Sequence, residues 1–294
     1  MKRLITVSRA AALLLATGIL FVTSCKKEET PAQDPEVVAE ATVNEIELSA
    51  AFEDIFNNAA GIDGTTAGDD LGIYGGTGFG LFPGQATQTT VTCFTVTVTP
   101  REKGVFPKTV TIDFGTGCET NGHVRKGKII TVYSGPLHVP GNKAVTEFDG
   151  YQIDDFKITG RHVILNSTEP GSNQRRFTRT VENAKLMNVS TGFWRTWSGV
   201  TIMKQIEGNG TPLWPADDVY QFVGNRKGAN SKGRTWVSET KEPLIKAFAC
   251  PWISKGIMTV SVNGTVGSID FGNGTCDDEA TITINGVSKP IKLR

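Results

Sequence analysis

The stretch VTIDFGTGC (residues 110–118) has a near copy in GSIDFGNGTC (residues 267–276). Each copy is a short run rich in β-branched residues that ends in Asp-Phe-Gly, continues as a polar loop and reaches a cysteine. A further cysteine lies 20 residues before the aspartate in both copies, at Cys93 and at Cys250. Shared order and shared spacing of this kind indicate an internal repeat.

The repeat covers about residues 89–134 and 246–294, at the two ends of a β-rich region that we predict over residues 89–294. Between the copies the chain is a series of short runs rich in Thr, Val and Ile, separated by turn residues at hairpin spacing. Alternation such as Thr95-Val96-Thr97-Val98 is typical of strands with one buried and one wet face, which favours antiparallel sheets. We therefore expect an all-β, mainly antiparallel fold, either a sandwich or a curled meander.

One short helix is expected before the strands. Asn44 and Glu47 match a capping box, apolar residues recur at helical spacing from Ile46 to Ala59, and Gly61 stops the run. The helix should pack onto a sheet, and with the glycine-rich loop that follows it forms a segment over residues 44–88. That loop is too irregular for a phosphate-cradling motif and has no GK[ST].

The N-terminus has the features of an export signal. Lys2, Arg3 and Arg9 are basic, and the apolar run over residues 10–22 is 13 residues long, shorter than the ~20 that a spanning helix needs. Residues 1–24 are therefore predicted to be a signal peptide. Its cleavage would leave 27 basic and 30 acidic residues, a net charge of about −3, and without a basic patch nucleic acid is not an expected partner.

The signal ends in Val22-Thr23-Ser24-Cys25, which resembles the lipobox of bacterial lipoproteins. The resemblance implies that Cys25 is acylated with fatty-acid chains such as palmitate. Two or three chains would hold the protein on its membrane almost permanently. We accordingly read residues 25–43 as the lipidated cysteine followed by a tether.

The cluster KKEET directly after Cys25 resembles the export signal of surface lipoproteins of the bacteroidete type, and no Asp follows the cysteine. This resemblance implies a lipid anchor in the outer membrane, with exposure at the cell surface. Orientation stays open, because any solvated tether beside a membrane would be charged.

Four cysteines remain if Cys25 carries lipid, and an even number in an oxidising compartment favours two disulfides. Three connectivities are possible. Pairing within each copy of the repeat, Cys93 with Cys118 and Cys250 with Cys276, is the simplest. Zinc is a poor alternative, because there is no close CxxC pair and the three histidines lack paired ligand spacing.

The Asp-Phe-Gly triplets have a structural and a metal-binding interpretation. In the first, Asp113 and Asp270 bond backbone N–H groups of the next turn, and the following glycines take a positive φ. In the second, hard oxygens in the C-terminal loop bind calcium, the candidate ligands being Asp270, Asn273, Asp277 and Asp278. The loop lacks EF-hand spacing and the first copy does not share these ligands. We therefore expect no cofactor, with calcium as the alternative.

Several longer segments carry a family resemblance. RKGKIITVYSG, VTEFDGYQIDDFKITG, WPADDVYQFVG, NSKGRTW and SIDFGNGTCDDEATITING, in this order, are similar to a group of bacteroidete lipoproteins over most of residues 90–294. The closing motif, Asp-aromatic-Gly-x-Gly-x-Cys-Asp before a strand, is the most specific part. The resemblance implies a secreted, β-rich, lipid-anchored protein, and it brings no activity and no catalytic residues.

Two classes of function stay open. The first is a non-catalytic envelope lipoprotein that binds a glycan, a protein or another envelope component, or that has a structural role, with Trp214 and Trp236 as candidate ligand-binding aromatics. The second is a secreted hydrolase that uses carboxylates from separate strands on a polysaccharide. No acidic doublet supplies such a pair alone, since neighbouring residues on a strand face opposite sides, and the motif G-x-S-x-G does not occur. The binding protein is the favoured reading.

Overall fold

The computed structural model describes residues 35–61, 71–74, 93–120, 122–212 and 214–293. The predicted signal peptide, Cys25, the tether as far as residue 34 and most of the glycine-rich loop lie outside these residues. The described part contains one α-helix, fourteen strands and a short 3₁₀ turn at Pro215–Asp217. The elements are α1 (Pro35–Ala60), β1 (Thr95–Thr99), β2 (Lys108–Asp113), β3 (Cys118–Thr120), β4 (His123–Tyr133), β5 (Lys143–Ile153), β6 (Phe156–Asn166), β7 (Arg176–Asn188), β8 (Trp194–Glu207), β9 (Val219–Asn230), β10 (Thr235–Ala247), β11 (Lys255–Val262), β12 (Thr265–Asn273), β13 (Glu279–Ile284) and β14 (Val287–Lys292).

All strands belong to one antiparallel sheet whose order follows the chain from β1 to β14, except that the short β3 pairs beside the path with β4. Each strand thus lies next to its neighbours in sequence, as hairpin-spaced turns predict. The predicted all-β class with one N-terminal helix is confirmed, and the hydrogen bonding gives a continuous meander.

The helix begins earlier than the sequence pattern suggested. It starts at Pro35, so residues 35–43, predicted to be tether, are helical, and Asn44 lies in mid-helix instead of capping it. Proline suits the first helical position, where its fixed φ is already helical and its missing N–H would have no partner. Buried Val38 and Ala41 extend the apolar stripe into this first part of the helix. The C-terminal prediction was right: Gly61, with φ 74°, follows the last helical residue.

The sheet curls around α1. Asp54 bonds Arg125 on β4, while the adjacent Glu53 lies within 3.5 Å of Lys246 on β10. Six strand spacings separate β4 from β10, about 29 Å on a flat sheet. One helical turn can meet both strands only if the sheet is strongly bent, so α1 lies on a concave face.

Irregular pairing supplies places for this bend. The ladders shift register between Lys126 and Lys128, between Thr159 and Arg161, and between Lys255 and Ile257, and the residue skipped in each case is a glycine. Bulges bend a strand and increase its twist. Side chains of the inner face and of α1 then form one core that includes Leu48, Phe52, Ile55 and Phe56, each at most 2 % exposed. None of the helical segments that the structure describes has the length and hydropathy of a membrane-spanning helix.

The two copies of the repeat lie at the two ends of the meander, and both disulfides form within a copy, as predicted. Cys93 is bonded to Cys118 and Cys250 to Cys276, with Cα–Cα distances of 5.4 and 5.9 Å. The first disulfide fixes the segment before β1 to β3. The second fixes the β10–β11 connection to the loop after β12.

The Asp-Phe-Gly triplets have the same geometry in both copies. The carboxylate of Asp113 accepts a hydrogen bond from the Gly115 N–H at 2.9 Å, and Asp270 accepts one from Gly272 at 2.9 Å. Both glycines have positive φ, 57° and 92°, which residues with a Cβ rarely adopt. The triplet is thus a turn that ends a strand.

Candidate ligand cavity

A cavity of about 730 Å³ lies between α1 and the inner face of the sheet. We call it the α1 cavity. Its walls are mainly apolar and rich in aromatic rings, and they include two methionines, Met203 and Met258. The aromatic residues include Phe52, Phe56, Trp197, Phe222, Phe248 and Trp252. The volume is within the range of small-molecule sites, which are typically apolar with a few well-placed polar groups.

Acidic side chains of α1 meet basic side chains of the strands and of the turn between β9 and β10. Five acids of one helix are paired in this way, so charge complementarity as well as apolar packing fixes α1 against the sheet. The pairs are Glu40 with Lys232 and Arg234, Glu45 with Arg226, Glu47 with Arg195, Glu53 with Arg179 and Lys246, and Asp54 with Arg125.

Glu45 is the most deeply buried of these acids, with no exposed surface. Its carboxylate accepts hydrogen bonds from the indole N–H groups of Trp197 and Trp236 at 3.1 and 3.0 Å and from the Ser238 hydroxyl at 2.8 Å. The guanidinium of Arg226 lies 3.5 Å away. A buried carboxylate with this many donors is satisfied, so Glu45 joins α1 to β8, β9 and β10.

Glu53 lines the α1 cavity and lies between two cations. Its oxygens are 2.9 Å from Arg179 Nη1 and 3.5 Å from Lys246 Nζ. Burial alone would raise the pKa of Glu53, but the two cations outweigh it and lower the pKa from 4.5 to about 2. Glu53 is therefore ionised at neutral pH, which does not suit a general acid.

His162 on β6 also lines the cavity, and it is 1 % exposed. Neither ring nitrogen has a hydrogen-bond partner among the described residues. The rings of Phe52 and Phe56 approach the imidazole edge-on, with centroids 6.1 and 6.5 Å away. Burial, with Arg179 nearby, lowers the pKa of His162 to about 3, so the imidazole is neutral and has one donor and one acceptor unused.

Arg226 on β9 is, after His162, a second polar group of the lining with unused hydrogen-bonding capacity. Its Nη2 donates to Thr201 at 2.9 Å and its guanidinium lies 5.4 Å from the ring centroid of Trp197. Its Nε is buried and has no partner among the described residues. Burial lowers the pKa of Arg226, partly offset by Glu45, yet an arginine remains charged in a protein.

A buried polar cluster borders the cavity at Tyr220. Asp218 is 1 % exposed and accepts hydrogen bonds from the phenols of Tyr74 and Tyr220, both at 2.9 Å, and from Gln205 at 2.7 Å. Burial raises the pKa of Asp218, and these three donors partly offset the rise. Burial likewise raises the pKa of Tyr74 well above its ordinary value. The cluster fixes the segment 71–74 to the sheet and so stabilises one wall.

The tryptophans singled out from the sequence lie in different surroundings. Trp214 is 55 % exposed in the loop before the 3₁₀ turn, while Trp236 is 2 % exposed and bonded to Glu45. The structure does not bring them together, and neither lines the α1 cavity. Their role in ligand binding stays a prediction.

The four candidate calcium ligands each have a local partner. Asp270 bonds Gly272, Asn273 bonds Thr275, Asp277 bonds the Glu279 N–H at 3.0 Å, and Asp278 pairs with Lys292 at 2.6 Å. In the described ranges no group of three or more His, Cys, Asp or Glu side chains is placed to hold a metal ion. Calcium binding stays an untested alternative, and Cys25 lies outside the described residues.

Sequence reasoning missed the residues that line the cavity. Glu53, His162, Arg179 and Lys246 are far apart in the chain and follow no motif. One signal was available: Glu45 lies on the same helical stripe as the buried Ala41, Leu48 and Phe52, and a charge in such a stripe indicates a buried partner.

No protein-family model, curated protein or solved structure matches the chain significantly. The interpretation of this site therefore depends on its geometry.

Proposed function

We propose that this protein is a non-catalytic, lipid-anchored binding protein of the bacterial envelope, and that it binds a small apolar molecule in the α1 cavity. The observation that carries the proposal is the cavity itself. It has a volume of about 730 Å³ and mainly aromatic and aliphatic walls, and it lies between a helix and a sheet that carries two disulfides. The removal of apolar surface from water, when a ligand packs against such walls, is the usual driving force for small-molecule binding.

The cavity is preformed on a rigid support. Both ends of the sheet carry a disulfide, and Glu53 and Asp54, two acids of α1 that line the cavity, are paired with arginines of the strands. A site that does not have to be ordered on binding loses less conformational entropy. The same rigidity suits a protein that stores or presents a ligand.

The proposed location of the protein in the cell comes from its sequence. Cys25 in its lipobox and the KKEET cluster support an outer-membrane lipoprotein with its β-rich domain facing outward. A membrane-anchored protein with an apolar cavity would lie close to the membrane, where lipid-like molecules are abundant. Partners other than the membrane would be small ligands, with glycans and proteins as the alternatives for the outer surface.

A binding assay with a neutral apolar probe tests this function. The soluble chain from Glu28 onward is titrated with N-phenyl-1-naphthylamine, whose fluorescence rises in apolar surroundings. We expect saturable binding with one site and quenching of tryptophan fluorescence, because Trp197 lines the cavity.

Two variants make the test specific. Ala50→Phe adds a ring to a cavity-lining position of α1 and should abolish probe binding. Val223→Phe adds the same ring at a 40 % exposed position on β9 and should leave binding unchanged. Absence of saturable binding to the wild type, or equal binding by both variants, would show that the cavity is not the site.

A further inference from the structure

We propose that the ligand of the α1 cavity is a single-chain amphiphile with an anionic head group, such as a long-chain carboxylic acid, and that Arg179, Lys246 and Arg226 hold its head. This inference rests on the proposed function and specifies its ligand. The charge balance of the cavity, its unused hydrogen-bond donors and its otherwise apolar lining support it.

The charge balance around the cations of the cavity is positive. Three cations, Arg179, Arg226 and Lys246, adjoin only two carboxylates, Glu53 and Glu45. The side chains of Arg179, Arg226 and Lys246 are 10, 11 and 20 % exposed, so water screens them weakly. A surplus positive charge in such surroundings favours an anion and disfavours a cation.

The other carboxylates of the lining do not cancel this surplus. Asp54 is paired with Arg125 and Glu47 with Arg195. Asp154, which bonds His123, has a side chain that is 47 % exposed and is screened by solvent. One ligand anion would thus complete the charge balance.

Unused donors lie on the same inner face. In the sheet register His162 lies opposite Val181, two residues from Arg179 on the neighbouring strand, so both side chains point to the same side. Buried polar atoms without a partner are rare in folded proteins, and here both imidazole nitrogens and Arg226 Nε are of this kind. A carboxylate or a hydroxyl that entered the cavity could accept from His162 and Arg226.

The remaining walls suit a hydrocarbon chain. Phe222, Phe248, Trp252 and Phe271 line the cavity with Met203 and Met258. Methionine adapts its shape to an irregular apolar partner, and each methylene of a ligand that leaves water adds to the affinity. A cavity whose lining combines three cations with mainly apolar side chains matches an amphiphile with one head and one chain.

The test compares a fluorescent fatty acid, cis-parinaric acid, with its methyl ester, which has the same chain and no charge. Both are titrated into the soluble chain from Glu28 onward. We expect the acid to bind about tenfold more tightly than the ester, as one charged hydrogen bond would give. Ala50→Phe should abolish binding of both.

Lys246→Met and Lys241→Met provide the matched pair of variants. Lys246 lines the cavity, whereas Lys241 on the same strand is 50 % exposed and pairs with Glu239. Lys246→Met should weaken binding of the acid about tenfold and leave that of the ester unchanged. Lys241→Met should change neither.

The outcomes separate the two proposals. If acid and ester bind equally, or if Lys246→Met weakens both alike, the cavity binds ligands but the anionic head group is wrong. If neither parinaric compound nor the neutral naphthylamine probe binds the wild type, both the proposed function and this inference are overturned. Thermal unfolding of each variant confirms that it is folded.

Discussion

The carboxylate of Glu53 on α1 lies 2.9 Å from the guanidinium of Arg179 on β7, and Lys246 on β10 approaches the same carboxylate at 3.5 Å. One side chain of the helix thus joins strands three positions apart in the sheet. The three residues line the α1 cavity, and the lowered pKa of Glu53 makes the stability of the fold depend on pH.

Glu53→Gln should destabilise the protein, and the loss should shrink in acid. The pKa of Glu53 is lowered from 4.5 to about 2, so its ion pairs stabilise the folded state fully above pH ~4.5 and are lost as the pH falls towards 2. Allowing for a side chain that is 31 % exposed, we expect a loss of roughly 2 kcal/mol at pH 7 and less than half of that at pH 3.

Urea unfolding at both pH values measures this effect. Glu242→Gln, at an exposed position on β10, is the control and should change stability little at either pH. An equal loss for Glu53→Gln at pH 7 and pH 3 would contradict the role of its charge.

His162 should make the wild type less stable in mild acid. The pKa of this buried histidine is about 3, below its ordinary 6.5, so the unfolded chain takes up a proton between pH 6.5 and 3 while the folded protein does not. The free energy of unfolding that depends on the neutral imidazole is fully present above pH 6.5 and is lost as the pH falls towards 3. The loss is about 2 kcal/mol at pH 5.

His162→Phe removes this proton uptake and keeps an aromatic ring against Phe52 and Phe56. The variant should therefore lose less stability than the wild type between pH 7.5 and pH 5, as followed by urea unfolding. Identical losses would mean that the imidazole is protonated, or reached by water, in the folded protein.

Glu45→Ala should be strongly destabilising, because it leaves the charge of Arg226 and the indole N–H groups of Trp197 and Trp236 buried without their acceptor. Breaking a buried ion pair on one side costs about 3–5 kcal/mol. Glu40→Ala removes an acid of the same helix whose partner Lys232 has a 57 % exposed side chain, and it should cost at most ~1 kcal/mol. If the two variants had similar free energies of unfolding, the role of Glu45 as the buried acceptor for these groups would be refuted.

Cys25→Ala should release the full-length protein from the membrane fraction, because it removes the residue that the lipobox predicts to be acylated. Incorporation of a labelled fatty acid into the wild type and not into the variant measures the modification directly. Persistent membrane binding of the variant would exclude Cys25 as the anchor. Protease treatment of intact cells separates outward from inward orientation.

Local patterns predicted much of the fold. Alternation, turn residues and the repeated cysteine spacing led to the antiparallel strands, the two disulfides and the turns at Asp113 and Asp270, because each depends on residues that are near in sequence or related by duplication. The start of α1 was missed because Pro35 and its acidic neighbours resemble a tether. Residues 35–43 are helical because the buried Val38 packs against Gly267 of β12, more than 200 residues away in the chain.

The cavity could not be predicted for the same reason. His162, Arg179 and Lys246 are ordinary strand residues until the sheet curls, and only then do they meet Glu53. No spacing in the sequence encodes the curvature, which arises from register shifts such as the one between Thr159 and Arg161.

Among the described strands the meander ends in two edges, β1 and β14, and these edges bear on how the protein avoids aggregation. An unpaired edge strand can template the addition of a strand from another molecule. At one end β1 has only five residues and is followed by Pro100. At the other, β14 contains Pro290 between Lys289 and Lys292, and proline in an edge strand removes a donor that an incoming strand would need. Short length, proline and lysine thus keep a long open sheet from growing into a fibre.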